Sequence, residues 1–159
     1  MTSSLFRKAI FLTVLLSATT VLFAAENIFD PTRDPAKDLI AAEAQAKAEH
    51  KNILLDTGGN WCSWCHLLDR TLHENPSLTA AMEKNYVVLH VNWSRENENE
   101  AFLSKFPKVN GFPFLFVLSP DGKLLRAQPT DPFETDHKLQ SGYNQAAILE
   151  FLNKWGPEK

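Results

Sequence analysis

From Pro35 onward, amphipathic stretches alternate with short apolar runs, and this alternation predicts helices interleaved with buried strands. Residues 26–36, with two prolines, read as an extended lead-in. Pro35 to His50 is alanine-rich with Leu39, Ile40, Ala44 and Ala48 near one face, a helical pattern for which Asp34 is an N-cap and Pro35 the first helical residue. Asn52 to Asp56 predicts a short buried strand, and Gly58-Gly59 a sharp turn. Ser63 to His73 follows as a helix with Cys65, Leu68 and Leu72 on one face; Asn75-Pro76 breaks it and caps a second helix, Ser77 to Lys84. Tyr86 to Trp93 is the strongest strand signal, and Asn97 to Phe106 carries Ala101, Phe102 and Phe106 at helical spacing. Pro113 to Leu118 predicts another buried strand, Ser119 to Gly122 a turn, and Lys123 to Arg126 an antiparallel return. Pro129 and Pro132 mark 127–141 as a loop without regular structure in its first half, and Asn144 to Trp155 closes the chain as a helix with Ile148, Leu149 and Leu152 inward. The expected class is α/β, with a mixed central β-sheet flanked by helices.

The N-terminus has a different pattern. Arg7 and Lys8 precede the 17-residue run Ala9 to Ala25, apolar apart from serine and threonine. A membrane-spanning helix needs about 20 apolar residues, so residues 1–25 are expected to be a secretory signal peptide. Leu22 or Phe23 would fall at the −3 position of the cut, where small residues are usual, and an uncleaved anchor is the alternative. Either way the domain lies outside the cytoplasm, periplasmic or secreted, and touches a membrane only if the segment is retained. Its removal moves the formal charge from −3 to −5. Scattered Lys and Arg on a mildly acidic domain leave no footprint for nucleic acid.

The chain's only two cysteines, Cys62 and Cys65, stand where the first apolar strand gives way to a helix. A thiol at a helix N-terminus feels the partial positive charge of unpaired N–H groups, which favours its thiolate. A second cysteine three residues on lies one turn further along the same face, so the pair can close a short disulfide. Such a small loop removes little chain entropy, which makes it a poor staple and favours chemistry over scaffolding. Cys62, at the helix end, is the expected nucleophile, and Cys65, one turn in, the thiol that resolves a mixed disulfide. Cys62 to His66 also matches the Cys-x-x-Cys-His haem-attachment pattern. Against haem, the motif follows a buried strand, and Met82 has no signature of a second axial ligand. A metal site lacks a second cysteine pair. The expected cofactor is none.

The order of elements, with Trp61-Cys62-Ser63-Trp64-Cys65 at the first strand-to-helix junction, resembles the thioredoxin-like fold. Three further features carry the resemblance: Asp56, six residues before Cys62; Gly111-Phe112-Pro113 before an apolar strand; and Asp121-Gly122-Lys123 at the hairpin. It runs over roughly residues 36–155, within an expected thioredoxin-like domain of 36–159 that follows the 26–35 lead-in. Among such proteins the chain is most similar to an exported subgroup with an aromatic-rich site and a kinked helix pair, here Leu67 to Met82. It departs from thioredoxin itself in Ser63-Trp64 for Gly-Pro, in Phe112 before the proline, and in the long 127–141 loop.

The resemblance implies that Asp56 is a buried carboxylate accepting the Cys65 proton, and that Pro113 is a cis-proline facing the cysteines. A strand-end Asp bonded to a turn is the plainer reading of Asp56. Trp61, Trp64 and Phe112 are expected to surround the sulfurs with apolar surface for an extended peptide; core packing competes with that role, more for Trp61 than for Trp64. His66 either tunes the thiolate or donates a proton, or as a solvated helix residue does neither. His50, His73, His90 and His137 are expected to be ordinary surface or half-buried residues, and Asn92-Trp93-Ser94 matches a glycosylation sequon. The function implied is an exported thiol–disulfide oxidoreductase acting on protein thiols and disulfides, recharged by a separate redox partner. The alternative is a binding module or chaperone-like adaptor with an incidental dithiol.

Overall fold

The computed structural model describes residues 27–135 and 142–158. The expected signal peptide, 1–25, lies outside the described residues, as do His137 and most of the second half of the 127–141 loop. Helix α1 (Pro35–Glu49) starts where Asp34 accepts hydrogen bonds from the backbone N–H groups of Ala36 and Lys37, and ends at His50 in a left-handed conformation. The chain then enters β1 (Asn52–Gly58), which is buried at every position. Two helices follow, α2 (Ser63–Glu74) and α3 (Pro76–Asn85), separated at Asn75, whose side chain caps the second by accepting from Ser77 and Leu78. β2 (Tyr86–Asn92), the single-turn α4 (Glu100–Leu103), β3 (Phe114–Leu118), β4 (Leu124–Pro129) and α5 (Gln145–Lys154) complete the order.

The four strands form one sheet in the order β2-β1-β3-β4. β1 pairs parallel with β2 and antiparallel with β3, and β3 pairs antiparallel with β4. This is the thioredoxin-like arrangement, a mixed α/β sheet with helices on both faces. Because successive strand residues point to opposite faces, Ile53 and Leu55 of β1 join Val87, Leu89, Val91, Phe114, Phe116 and Leu118 under Ala42 and Ala46 of α1. Leu54, Leu115 and Val117 face the other way, against Leu68 and Leu72 of α2, Leu78 and Met82 of α3, and Ile148, Phe151 and Leu152 of α5. Buried polar groups far from the cysteines are paired: Asn52 and Asn85 donate through Nδ2, and Tyr86 through its hydroxyl, to the last carbonyls around the α5 C-terminus.

Two elements differ from the sequence pattern. The helix expected over Asn97 to Phe106 contracts to α4, because side chains compete for the backbone before it. Asn97 Oδ1 accepts from the Asn99 N–H, Asn99 Nδ2 donates to the Asn92 carbonyl, and Asn99 takes a left-handed φ of 48°. The loop expected from residue 127 instead begins as strand: β4 continues to Pro129, and a single 3₁₀ turn occupies Asp131–Phe133. Proline is tolerated there because β4 is an edge strand, with one side free of ladder bonds.

Candidate active site

The site forms where β1 hands over to α2. Cys62 is the N-cap of α2, in extended conformation, and its sulfur accepts from the Cys65 N–H at 3.1 Å. The two cysteines are joined as a disulfide with Cα atoms 5.2 Å apart. Both are buried, Cys65 at 1% and Cys62 at 5% exposure, so Cys62 keeps the larger share of accessible surface. Gly58 makes room for the second sulfur. A Cβ at that position would stand 2.6 Å from Cys65 Sγ and 2.8 Å from the Phe29 ring, closer than atoms can pack.

Asp56 lies two residues before Gly58 on the same face of β1, buried on the side of α2. Its Oδ2 is 3.2 Å from Nδ1 of His90, the residue opposite it on β2. Its Oδ1 is buried and accepts no hydrogen bond among the described residues. His90, expected to be an ordinary residue, is half-buried and paired with the carboxylate. Burial lowers the imidazole's pKa, but the Asp56 hydrogen bond and charge, helped by Asp69, outweigh it and leave the value above the ordinary one. His66 is held by the loop rather than solvated, with Nε2 donating to the Asn60 carbonyl at 2.9 Å.

The aromatic surround is divided differently from the sequence expectation. Trp61, expected to lean toward core packing, is 57% exposed. Its indole Nε1 donates to the Trp93 carbonyl at 2.8 Å, and its ring meets Trp93 and Phe112 edge-on. Trp93 stacks on Phe112 with centroids 5.0 Å apart. Trp64 is the more buried of the two tryptophans beside the cysteines, packed edge-on against Tyr143. The peptide bond between Phe112 and Pro113 is cis, and the Pro113 carbonyl accepts from the Thr130 hydroxyl at 3.0 Å.

Five participants, His90 among them, escaped the sequence reading. Phe29, in the lead-in, is fully buried against both cysteines and meets the His90 ring edge-on at 5.5 Å. Asn60 fixes it there through a reciprocal pair, Phe29 N–H to Asn60 Oδ1 and Asn60 Nδ2 to the Phe29 carbonyl. Trp93 and Tyr143 are the others. Only His90 had a readable signal: it is the fifth residue of its strand run, as Asp56 is of its own, so parallel neighbours starting in register bring them opposite. The sequon asparagine is spent inside the fold, since buried Asn92 donates through Nδ2 to Ser94 Oγ and the Asn97 carbonyl. Among the described residues, no group of three or more His, Cys, Asp and Glu side chains is arranged to hold a metal ion.

A mixed sheet with a Cys-x-x-Cys disulfide capping the first helix after its central strand defines a thioredoxin-like thiol–disulfide protein. Comparison with known proteins agrees: the model of a family described as thioredoxin-like matches residues 34–120, and the chain belongs to that family. It is 30% identical over 105 residues to the thiol:disulfide interchange protein DsbD of Pseudomonas fluorescens, a match covering 65% of this chain but only 18% of DsbD. Among solved structures it is similar to a disulphide isomerase from Xylella fastidiosa Temecula1, with a TM-score of 0.67 and 27% identity over 82% of this chain and 98% of that one. The oxidised C-terminal domain of Neisseria meningitidis DsbD shares the fold, with a TM-score of 0.55 at 19% identity over 77% of this chain and 96% of that one.

Proposed function

We propose that the protein is an exported thiol–disulfide oxidoreductase that exchanges disulfides with protein substrates through Cys62 and Cys65. The observation that carries this reading is the placement of the dithiol: a disulfide at the N-terminus of α2, with the buried Asp56 carboxylate on the same side of the sheet. The helix end favours a thiolate on Cys62. That thiolate attacks one sulfur of a substrate disulfide, forming a mixed disulfide and expelling the other substrate sulfur as a thiolate. Cys65 gives its proton to Asp56 and displaces the substrate from Cys62, which closes the intramolecular disulfide. The substrate backbone lies along the loop of Phe112 and Pro113, with Trp61, Trp64 and Phe112 around the reacting sulfurs. The dithiol needs no cofactor, and a separate redox partner recharges it. Related dithiols span roughly −270 to −120 mV, and ~30 mV corresponds to ~1.4 kcal/mol, so the residues Ser63-Trp64 between the sulfurs can set the direction of electron flow. Export rests on the apolar run of residues 9–25 and the DsbD likeness; N-terminal sequencing of the mature protein, expected to start near Ala25 or Glu26, checks it.

A Cys65→Ser variant tests the assignment of roles. Without the resolving thiol, Cys62 still attacks, and thiol-blocked extracts of the native compartment should yield Cys62-linked adducts that collapse on reduction. Cys62→Ser should yield far fewer. Equal trapping by both variants overturns the roles. The exposed aromatic surface of Trp61, beside Trp93 and Phe112, supports the second reading, a binding module; partner capture by a protein lacking both cysteines, with no trapping by either single variant, would favour it.

A further inference from the structure

Residues 27–33 precede the matched family region, 34–120, and form neither helix nor strand, yet they reach the centre of the dithiol site. Phe29 is fully buried in one cluster with Cys62 and Cys65. Its ring tip and Cys65 Sγ converge on Gly58, where a single Cβ would overlap both. The His90 ring meets Phe29 edge-on from the β2 side. An aromatic ring therefore closes the disulfide on the side of the lead-in. The other apolar neighbours of the cluster, Trp64 and Phe112, are only half-buried, and Cys62 is the sulfur with surface left to reach.

A segment without ladder bonds has to be held by other groups, since its backbone N–H and C=O need partners. Asn60, two residues before Cys62, supplies a two-point clamp. The Phe29 N–H donates to Asn60 Oδ1 at 3.1 Å, and Asn60 Nδ2 donates to the Phe29 carbonyl at 2.6 Å. The Asn60 carbonyl accepts from His66 Nε2, so one residue ties the lead-in to α2 as well. Two residues past the ring, the Pro31 carbonyl accepts from Asn97 Nδ2 at 2.9 Å. Asp30 then accepts from the N–H and hydroxyl of Thr32, and Asp34 starts α1. The ring is thus fixed relative to the sulfurs themselves, because its clamp stands on the loop that carries Cys62.

We propose that Phe29 decides which sulfur can be attacked: clamped by Asn60, its ring shields Cys65 and leaves Cys62 as the point of entry. The inference rests on the oxidoreductase reading and deepens it by naming what keeps the two sulfurs unequal. Exchange depends on which sulfur an incoming thiolate can reach. When a thiolate of a protein partner attacks the Cys62–Cys65 disulfide, its electron pair bonds to Cys62 Sγ. The Cys62–Cys65 bond breaks, and the released pair stays on Cys65. The partner is then held on Cys62 as a mixed disulfide, with Cys65 reduced beneath the ring. Attack at Cys65 would need the ring displaced. Asn60 acts through Phe29 and is a positioning residue.

Single-cysteine proteins read the shielding directly. Cys62→Ser leaves Cys65 as the only thiol, and its alkylation by iodoacetamide is followed by mass spectrometry under native conditions. Adding Phe29→Ala should speed that alkylation about tenfold or more, as expected when a protected site is opened locally. Phe29→Leu, which keeps an apolar side chain there, should retain most of the protection. Cys62 alkylation in Cys65→Ser should respond far less to Phe29→Ala. Asn60→Ala keeps the ring but removes its clamp; it should also speed Cys65 alkylation, and it decides if Phe29→Ala does not fold. Leu55→Ala, a cavity in the α1-face cluster, controls for general loosening and should leave Cys65 protected. Alkylation of Cys65 unmoved by Phe29→Ala and Asn60→Ala, or raised equally by Leu55→Ala, overturns the inference. In thiol-blocked extracts, Cys62→Ser with Phe29→Ala should yield far more Cys65-linked adducts than Cys62→Ser alone. No such gain, while Cys65→Ser traps substrates, overturns it too. If alkylation responds as expected but Cys65→Ser traps nothing, the shielding stands and the oxidoreductase reading beneath it fails.

Discussion

The two faces of β1 belong to the same seven residues and do opposite work. On the α1 face, Ile53 and Leu55 sit in a cluster made of aliphatic and aromatic side chains, with Phe106 and Phe114 packed against Phe116. On the other face, Leu54 begins an equally apolar core, but two residues on the strand presents a carboxylate, and His90 and Tyr143 gather near it. Among the described residues, the unsatisfied buried side-chain atoms are Asp56 Oδ1 and Thr57 Oγ1; both lie at the dithiol end of the strand, Asp56 on the α2 face and Thr57 on the α1 face. Buried polar groups at the opposite end are bonded to the α5 terminus. Native folds leave few polar atoms unpaired, and those they leave call for a reason. Here one face is apolar along the middle of the strand, and the other sets the proposed proton acceptor, Asp56, on the side of the sulfurs.

The largest effect that can break this division is on the α1 face. Leu55 is fully buried in the centre of that cluster. Leu55→Ala should lower the unfolding free energy by about 2–5 kcal/mol, the range for such cavities. Denaturant unfolding measures the loss, and disulfide exchange per folded molecule should be unchanged. A variant that also exchanges more slowly when fully folded would show that the two faces are coupled.

Asp56→Asn probes the other face and should behave in the opposite way. It removes the proposed proton acceptor and should slow exchange on the order of 100-fold near neutral pH, comparable to losing an acid–base group. Stability should stay level or rise, because a buried carboxylate with an unpaired oxygen is replaced by a neutral amide. Unchanged exchange together with a sharp loss of stability would return Asp56 to a structural turn and dissolve the contrast between the faces.

The scaffold was more legible in the sequence than the site, for a physical reason. Strand and helix periodicity are local, so β1, β2, β3, α1 and the kinked α2–α3 pair were readable from runs such as YVVLHVNW and from the Asn75-Pro76 break. Capping by Asp34 and Asn75 was readable too, because each cap lies within three residues of what it binds. The contraction of α4 was not, since helical spacing of Phe102 and Phe106 says nothing of asparagines bonding back to Asn92. Around the cysteines the contacts are mostly long-range. Phe29 reaches Asn60 across 31 positions with no signature in the sequence, and His90 reaches Asp56 across 34, legible only if the two strand runs are aligned in parallel register. Trp61 misled because indole hydrophobicity argues for burial, whereas its one polar atom is satisfied by the Trp93 carbonyl at the surface.

The smallest expected effect is a pH-dependent trace of the Asp56–His90 pair in stability. The folded His90 is shifted above the ordinary histidine value of about 6.5. A raised pKa means that the folded state binds the proton more tightly than the unfolded one. The pair's stabilisation is therefore fully present below the unfolded value and is lost as pH rises through the folded one. The unfolding free-energy difference between wild type and His90→Gln should accordingly be larger at pH 5.5 than at pH 9. Because a third of the imidazole is exposed, solvent screening should keep the change to about 1 kcal/mol or less. Leu55→Ala supplies the control, since a cavity among apolar side chains involves no proton and its destabilisation should be the same at both pH values. A difference for His90→Gln that is flat with pH, or larger at the alkaline end, would mean that the ring contributes by packing against Phe29 rather than by its charge.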